Sequence, residues 1–327
     1  MIATDTRCPL CKARALQPTA RSLLFDGYRK TYAYECSHCG LLFASDTSDA
    51  SNLRAEDWLD TNGQVACRPD MTIGFDMFTL RMLAASRDYA AVPSNPAQRD
   101  AMLHPHSGLA GAANLQPLSS LVATPITIGT MCRLDDVEEV MERAGRLYAQ
   151  AEAYIVVVDA EHSQALPPMM DKFFTVKARN LSRNFAAQRN YIQRLSKTDW
   201  ILQLDADEHI EPQSFAKLQT IATLADMQQI VSIGMPRQNY VDGVLVDLYP
   251  DVQYRLNRRE VSYEGVVHER PDRPWQNSMI AVGTDIVHTL SNAHVHKRSK
   301  HYDDIDPGNG RLHEESQLTV PYRHTGS

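Results

Sequence analysis

An α/β fold built on a mostly parallel sheet, preceded by a small four-cysteine zinc ribbon, is what this chain predicts. Three observations carry that expectation. From Thr124 onward, strand-like and helix-like segments alternate. Two of the strand-like segments, Tyr154–Val158 (YIVVV) and Trp200–Leu204 (WILQL), are apolar runs of the kind found in strands covered on both faces. Near the start, Cys8-Pro9-Leu10-Cys11 and Cys36-Ser37-His38-Cys39 form two C-x-x-C knuckles, each able to give two thiolates to one tetrahedral ion.

Taken in order, residues 1–45 read as the ribbon. Gly40 suits the tight turn after the second knuckle, and Leu23–Tyr34 alternates aromatic and polar residues as a short hairpin does. Zinc is the expected occupant of Cys8, Cys11, Cys36 and Cys39, ahead of rubredoxin-type iron, while Cys67 and Cys132 read as ordinary thiols. Residues 46–123 read as a connector. Its first part is polar, Phe75–Arg87 has helical apolar spacing, and 90–123 is loop-like with four prolines and no evident core.

The main domain is expected over 124–302. Ile126–Gly129 is a strand, Asp135–Tyr148 an amphipathic helix opened by carboxylates, and Tyr154–Val158 a strand ending in Asp159. Arg183–Leu195 is a second helix, Trp200–Leu204 a third strand and Ile230–Met235 a fourth, with Tyr249–Asn257 and Ser262–Val267 two more. The tail, 303–327, shows no packing pattern and is expected to be disordered.

A net charge of −7 argues against a general nucleic-acid binder or a binder of anionic membranes. No stretch approaches the roughly 20 apolar residues of a membrane-spanning helix, and MIATDTRCPLCK lacks a signal-peptide pattern. A cytoplasmic protein is expected, able to visit the inner face of a membrane through a partner or a lipid-linked substrate.

The richest stretch is Asp205-Ala206-Asp207-Glu208, at the end of the third strand. Side chains alternate along a strand, so Asp205 and Asp207 share a side, and two carboxylates there suit Mg²⁺ or Mn²⁺ on a diphosphate. A solvated acidic turn leading into a helix fits these four residues alone equally well. Ligands of such sheets sit at the carboxyl ends of strands, which places Asp159 on the same rim and favours the metal reading.

Phe185-Ala186-Ala187-Gln188-Arg189-Asn190, followed by Asp199-Trp200-Ile201 and Leu204-Asp205-Ala206-Asp207-Glu208, resembles the helix-then-metal-strand block of family 2 glycosyltransferases of the GT-A fold. Tyr263-Glu264-Gly265-Val266-Val267-His268-Glu269 is similar to the G-x-V-H-E block of their lipopolysaccharide-core glucosyltransferase-like branch. The resemblance covers about 124–302. It implies an inverting transfer of sugar from a nucleoside-diphosphate sugar, a UDP-sugar first, to a glycan or lipid-linked acceptor.

It also implies roles. Asp205 and Asp207 would hold Mg²⁺ or Mn²⁺, Asp159 would face the base or ribose, and Arg189 with Asn190 would line the donor pocket. Glu269 would be the base, with Glu264 second and His268 orienting Glu269 or approaching the metal, and His294 or His296 would complete the metal shell. Lys297, Arg298 and Lys300 offer contacts to donor or acceptor phosphate. The chain departs from the pattern at two loops. Asp159-Ala160-Glu161-His162-Ser163 replaces D-x-G-S-x-D, and Cys132-Arg133-Leu134-Asp135 replaces a Lys-Asn-Glu-like turn. A nucleotidyltransferase, which would need a glycine- and lysine-rich phosphate loop, and an inactive GT-A scaffold are the competing expectations.

Overall fold

The computed structural model describes residues 6–44, 63–161, 172–266, 268–295, 297, 304 and 315–322. Leu16–Pro18, Tyr34–Cys36, Leu42–Phe43 and Ile73–Gly74 pair as a four-stranded antiparallel sheet. The hairpin expected between the knuckles is present as Ser22–Phe25 with Tyr28–Thr31. Gly40 has φ +81°, and a Cβ there would stand 2.6 Å from Thr79 Oγ1, so the second knuckle needs glycine on both counts.

The segment expected to be loop-like is ordered. Helix Met77–Ser86 is followed by strand Tyr89–Val92, helix Pro96–Leu103 and strand Ala112–Pro117. The last of these pairs with Tyr89–Val92 and with Gln64–Ala66 in a three-stranded sheet. The prolines punctuate these elements rather than precluding them. Pro96 opens a helix whose N-cap Asn95 accepts from Gln98 N at 2.9 Å, and Pro117 ends a strand. Ala90, Ala91, Ala101 and Ala113 are buried and belong to one core with the cysteines and the large sheet.

That sheet has ten strands. Phe174–Ala178, Ala153–Asp159, Ile126–Arg133 and Trp200–Asp205 run parallel. Asp251–Arg258 joins antiparallel to the last of them, followed by Ser232–Val241, then Ile286–Leu290, with Glu208–Ile210 at the edge. Both faces of the parallel half are covered, as its apolar runs require. Tyr154, Val156 and Val158 enter the large core, whereas Ile155 and Val157 meet Ile192 of helix Phe185–Leu195 on the other face. Register pairs Met131 with Asp205 and Arg133 with Asp159, so the carboxyl ends of three strands share one rim.

Helix Pro212–Met227 and strands Phe174–Ala178, Glu208–Ile210, Ser278–Ile280 and Ile286–Leu290 add to the expected elements. The strand expected over 262–267 shrinks to Tyr263–Glu264, paired with Arg270–Pro271. Gly265 at φ +102° and His268 at φ +54° end the extended run, so Glu269 follows a turn. Residues 315–322 of the tail are placed. Pro321 bridges Val246, Asp247 N donates to Val320 O at 2.7 Å, and Tyr322 N donates to Leu245 O at 2.9 Å. Arg7 ties the first knuckle to the same loop, donating to Asp247 at 2.8 Å with its guanidinium 4.3 Å from the Tyr322 ring centroid. Among the described residues, no helix is long and apolar enough to cross a membrane.

Candidate active site

Helix Phe185–Leu195 starts at Asn184, whose side chain accepts from Ala187 N at 2.8 Å. This start turns Arg189 onto the sheet, where it is 1% exposed. Its guanidinium donates to Asp205 Oδ1 at 2.6 Å and to Glu269 Oε1. Arg255, from the neighbouring antiparallel strand, donates to Asp205 Oδ2 at 2.5 Å and Glu208 Oε1 at 3.3 Å, and lies 3.8 Å from Glu269. Arg237 donates to Glu208 at 2.7 Å and to Asp251 at 2.9 Å. Three arginines and four carboxylates thus alternate along the cleft floor.

Burial alone works against every charge in this row, and the partners reverse it. Burial would lower Arg189, Arg237 and Arg255, yet facing carboxylates hold all three above the usual arginine value. Burial would raise Asp251, yet Arg237 draws it down to about 2.

Asp205 and Asp207 therefore differ. Both oxygens of Asp205 are engaged by guanidinium groups, which leaves Asp207 as the carboxylate facing the cleft, its side chain 34% exposed. The histidine against it is His288, from strand Ile286–Leu290, with Nε2 3.1 Å from Asp207 Oδ2. His288 Nδ1 lies 2.7 Å from Asn239 Oδ1. The Asn239 amide nitrogen donates to Leu248 O at 2.8 Å, which assigns Oδ1 as acceptor and the Nδ1 proton to the imidazole. The other ring nitrogen, Nε2, faces a carboxylate oxygen, so the contact is closed by a proton on Nε2 or by a cation between the two groups. Two ligands at right angles on Mg²⁺, each about 2.1 Å from the ion, are about 3 Å apart, so this donor pair fits an octahedral edge.

The other expected residues fall as follows. Asp159 lies on the rim and accepts from Leu181 N at 2.8 Å, while Glu161 in the unusual loop accepts from Asn180 at 3.0 Å. Residues 162–171 are outside the described residues. Asn190 does not line the cleft. It bonds the backbone of Tyr263 through both amide atoms, at 2.9 and 2.7 Å, and so holds the Tyr263–Pro271 hairpin to the helix. Glu264 is exposed outside the cleft and His268 lines it. His294 is on the cleft rim, and His296 lies outside the described residues. Both contacts of Glu269 fall on Oε1.

Asp159, Arg189, Asp205, Asp207, Arg255, Glu269 and His288 are among the residues that line a cleft of about 1560 Å³. That exceeds the upper end, about 1,000 Å³, of ordinary small-molecule pockets, leaving room for two substrates. Ten Lys and Arg side chains line it against seven Asp and Glu, the reverse of the chain's net charge of −7. Sequence reasoning missed Arg237, Asn239 and Arg255, and it expected His294 or His296 beside the acidic pair where His288 stands. A signal was present in Asp251, Gln253 and Arg255, which recur every second position, the period of one strand face.

The four cysteines form a separate centre. Cys8, Cys11, Cys36 and Cys39 are buried, with all their sulfurs within 4.8 Å of one another. The Cys8–Cys39 and Cys11–Cys36 separations are 3.5 and 3.6 Å. Thiolates at about 2.3 Å around a tetrahedral Zn²⁺ are about 3.8 Å apart, so the donor set fits zinc.

No family model matches the chain, and no curated protein matches it. Among solved structures, Staphylococcus aureus TarS 1-349 in complex with UDP-GlcNAc aligns at 11% identity and TM-score 0.35, over 50% of this chain and 58% of that one. The same fragment with UDP aligns at 11% identity and TM-score 0.35, over 59% of this chain and 69% of that one. Likeness at this level bears on neither substrate nor mechanism.

Proposed function

We propose that the cleft binds a nucleoside-diphosphate sugar, a UDP-sugar first, and transfers its sugar with inversion to a glycan or lipid-linked acceptor. The observation that carries this reading is the Asp207–His288 pair, a carboxylate oxygen and an imidazole nitrogen 3.1 Å apart on the rim where parallel strands end. The cationic cleft and the sequence resemblance support it. Asp207 and His288 would hold Mg²⁺ or Mn²⁺, which when bound supplies positive charge to the leaving diphosphate.

The protein's own groups do the rest. Asp159, on the rim, would face the base and ribose, and Asp205 is locked between Arg189 and Arg255. Glu269 has Oε1 fixed by Arg189, leaving Oε2 for an acceptor hydroxyl. That proton passes to Oε2 as the hydroxyl oxygen bonds the anomeric carbon. The anomeric carbon–oxygen bond to the diphosphate breaks, and its electron pair leaves with the diphosphate. The four-cysteine centre is assigned a structural role.

A thermal-shift panel of nucleoside-diphosphate sugars with Mn²⁺ tests this. One donor at about a hundred times its dissociation constant should stabilise the chain by about 2.7 kcal/mol and raise the melting temperature by several degrees, with no rise in EDTA. No shift with any donor, in Mg²⁺ or Mn²⁺, would leave the domain a scaffold without nucleotide.

A further inference from the structure

We infer that the acceptor is anionic: a phosphate ester near its reacting hydroxyl is gripped by Arg270 and Arg273, beside Glu269. This rests on the nucleotide-sugar reading and adds the class of the second substrate.

The first support is charge. Of the ten cations in the cleft, Arg189, Arg237 and Arg255 are spent on the carboxylates of the floor. Seven remain, facing four carboxylates, one of which, Glu139, pairs with Arg143; the floor holds one carboxylate more than it has arginines, so the net excess is two positive charges. A nucleoside-diphosphate sugar with one divalent cation is close to neutral, so the donor complex leaves this positive excess in place. A cleft with low-dielectric walls concentrates ligands of the opposite charge. The excess therefore belongs to the other ligand.

The second support is position. Arg270 follows the proposed base directly, in the two-residue strand that pairs with Tyr263–Glu264. Glu264 stands opposite Arg270 in that ladder, yet Arg270 makes no ion pair with any described carboxylate. Arg273 likewise has no described carboxylate partner. Its guanidinium stacks 4.1 Å from the centroid of the Tyr254 ring, which also lines the cleft, and its Nε is buried without a hydrogen bond among the described residues. Stacking on an aromatic face fixes the plane of a guanidinium and leaves its terminal nitrogens pointing outward. That fork matches phosphate oxygens in pairs. Lys297 lines the same cleft, exposed and also unpaired with described carboxylates.

The test titrates the full chain, saturated with UDP and Mg²⁺, with glycerol 3-phosphate, inorganic phosphate and glycerol at constant ionic strength. The expected result is binding of glycerol 3-phosphate to the UDP-loaded chain, tighter than inorganic phosphate, with none for glycerol. Arg270→Gln with Arg273→Gln should weaken it at least tenfold while UDP affinity stays within twofold. Arg270→Gln alone, at an exposed position, should weaken it severalfold without touching the fold. Equal binding by the double variant would overturn the assignment. So would mutual exclusion of UDP and the ester, which would hand these arginines to the donor, or inorganic phosphate binding as tightly as the ester, which would mark a free-anion site. Failure of UDP itself to bind is read in its own arm, and it removes the underlying nucleotide-sugar reading rather than the charge argument alone.

Discussion

Arg255 touches three carboxylates that come from three places in the chain: Asp205 at the end of a parallel strand, Glu208 directly after the Ala206-Asp207 turn, and Glu269 after the His268 kink. Glu208 is fully buried, and removing one of its two guanidinium partners leaves charge without compensation. Arg255→Met should cost about 3–5 kcal/mol in urea unfolding, the range for breaking a buried ion pair on one side. Arg255→Lys should recover part of that, since it restores charge without the planar fork. Wild-type stability in Arg255→Met would mean that the row of charges does not hold the floor together. Asp251 gives the row a pH signature. Its pKa falls from 3.8 to about 2 on folding, so its contribution is fully present above about 4 and is lost as pH falls through about 2. Acid unfolding followed by circular dichroism should therefore steepen between pH 4 and 2, and Asp251→Asn should flatten that window.

At the scale of elements, the position of Arg189 depends on how closely its helix approaches the sheet. Gly129 permits that approach, because a Cβ there would stand 2.2 Å from Ile192 Cγ2, and Ile192 is fully buried. Gly129→Ala should cost about 1–3 kcal/mol by overpacking, and Ile192→Ala in the same chain should restore part of it. No change in the melting temperature of Gly129→Ala would contradict the packing described here. The parallel half of the sheet was legible because strands buried on both faces must be apolar throughout, as YIVVV is. The antiparallel half was harder to read. Its strands carry the charged floor, so Arg237, Asn239, Arg255 and His288 interrupt the hydrophobic pattern that marks a strand. The helix Pro212–Met227 has an apolar face in Phe215, Leu218, Ile221 and Ala225 and a proline at its start, and the acidic turn before it does lead into a helix, as one of the two expectations for that turn held. The cysteine spacing specified the ribbon directly, since thiolate pairs at that spacing have few other uses. The separation of Asp205 from Asp207 was not legible at all, because it depends on two arginines 16 and 50 residues away in sequence.

Across the whole molecule, the four-cysteine centre and the cleft are joined through one loop. Arg7 beside the first knuckle holds Asp247, and the next residue, Leu248, lines the cleft and accepts from Asn239, the partner of His288. Metal analysis should find one zinc per chain. Cys36→Ser should lose it and lower the melting temperature by well over about 4 °C, since about 1 kcal/mol already shifts a domain of 150–250 residues by about 2–4 °C and a structural zinc contributes more. An unchanged melting temperature in the zinc-free variant would make the centre dispensable. The proposed chemistry depends on the rim, where Asp207 and His288 face each other. Calorimetric titration of UDP into the full chain with Mn²⁺, compared with Asp207→Ala, tests it most directly. Binding should require Mn²⁺ and fall at least a hundredfold in the variant; equal affinity with and without the ion, or in Asp207→Ala, would rule out a metal-dependent nucleotide site at Asp207.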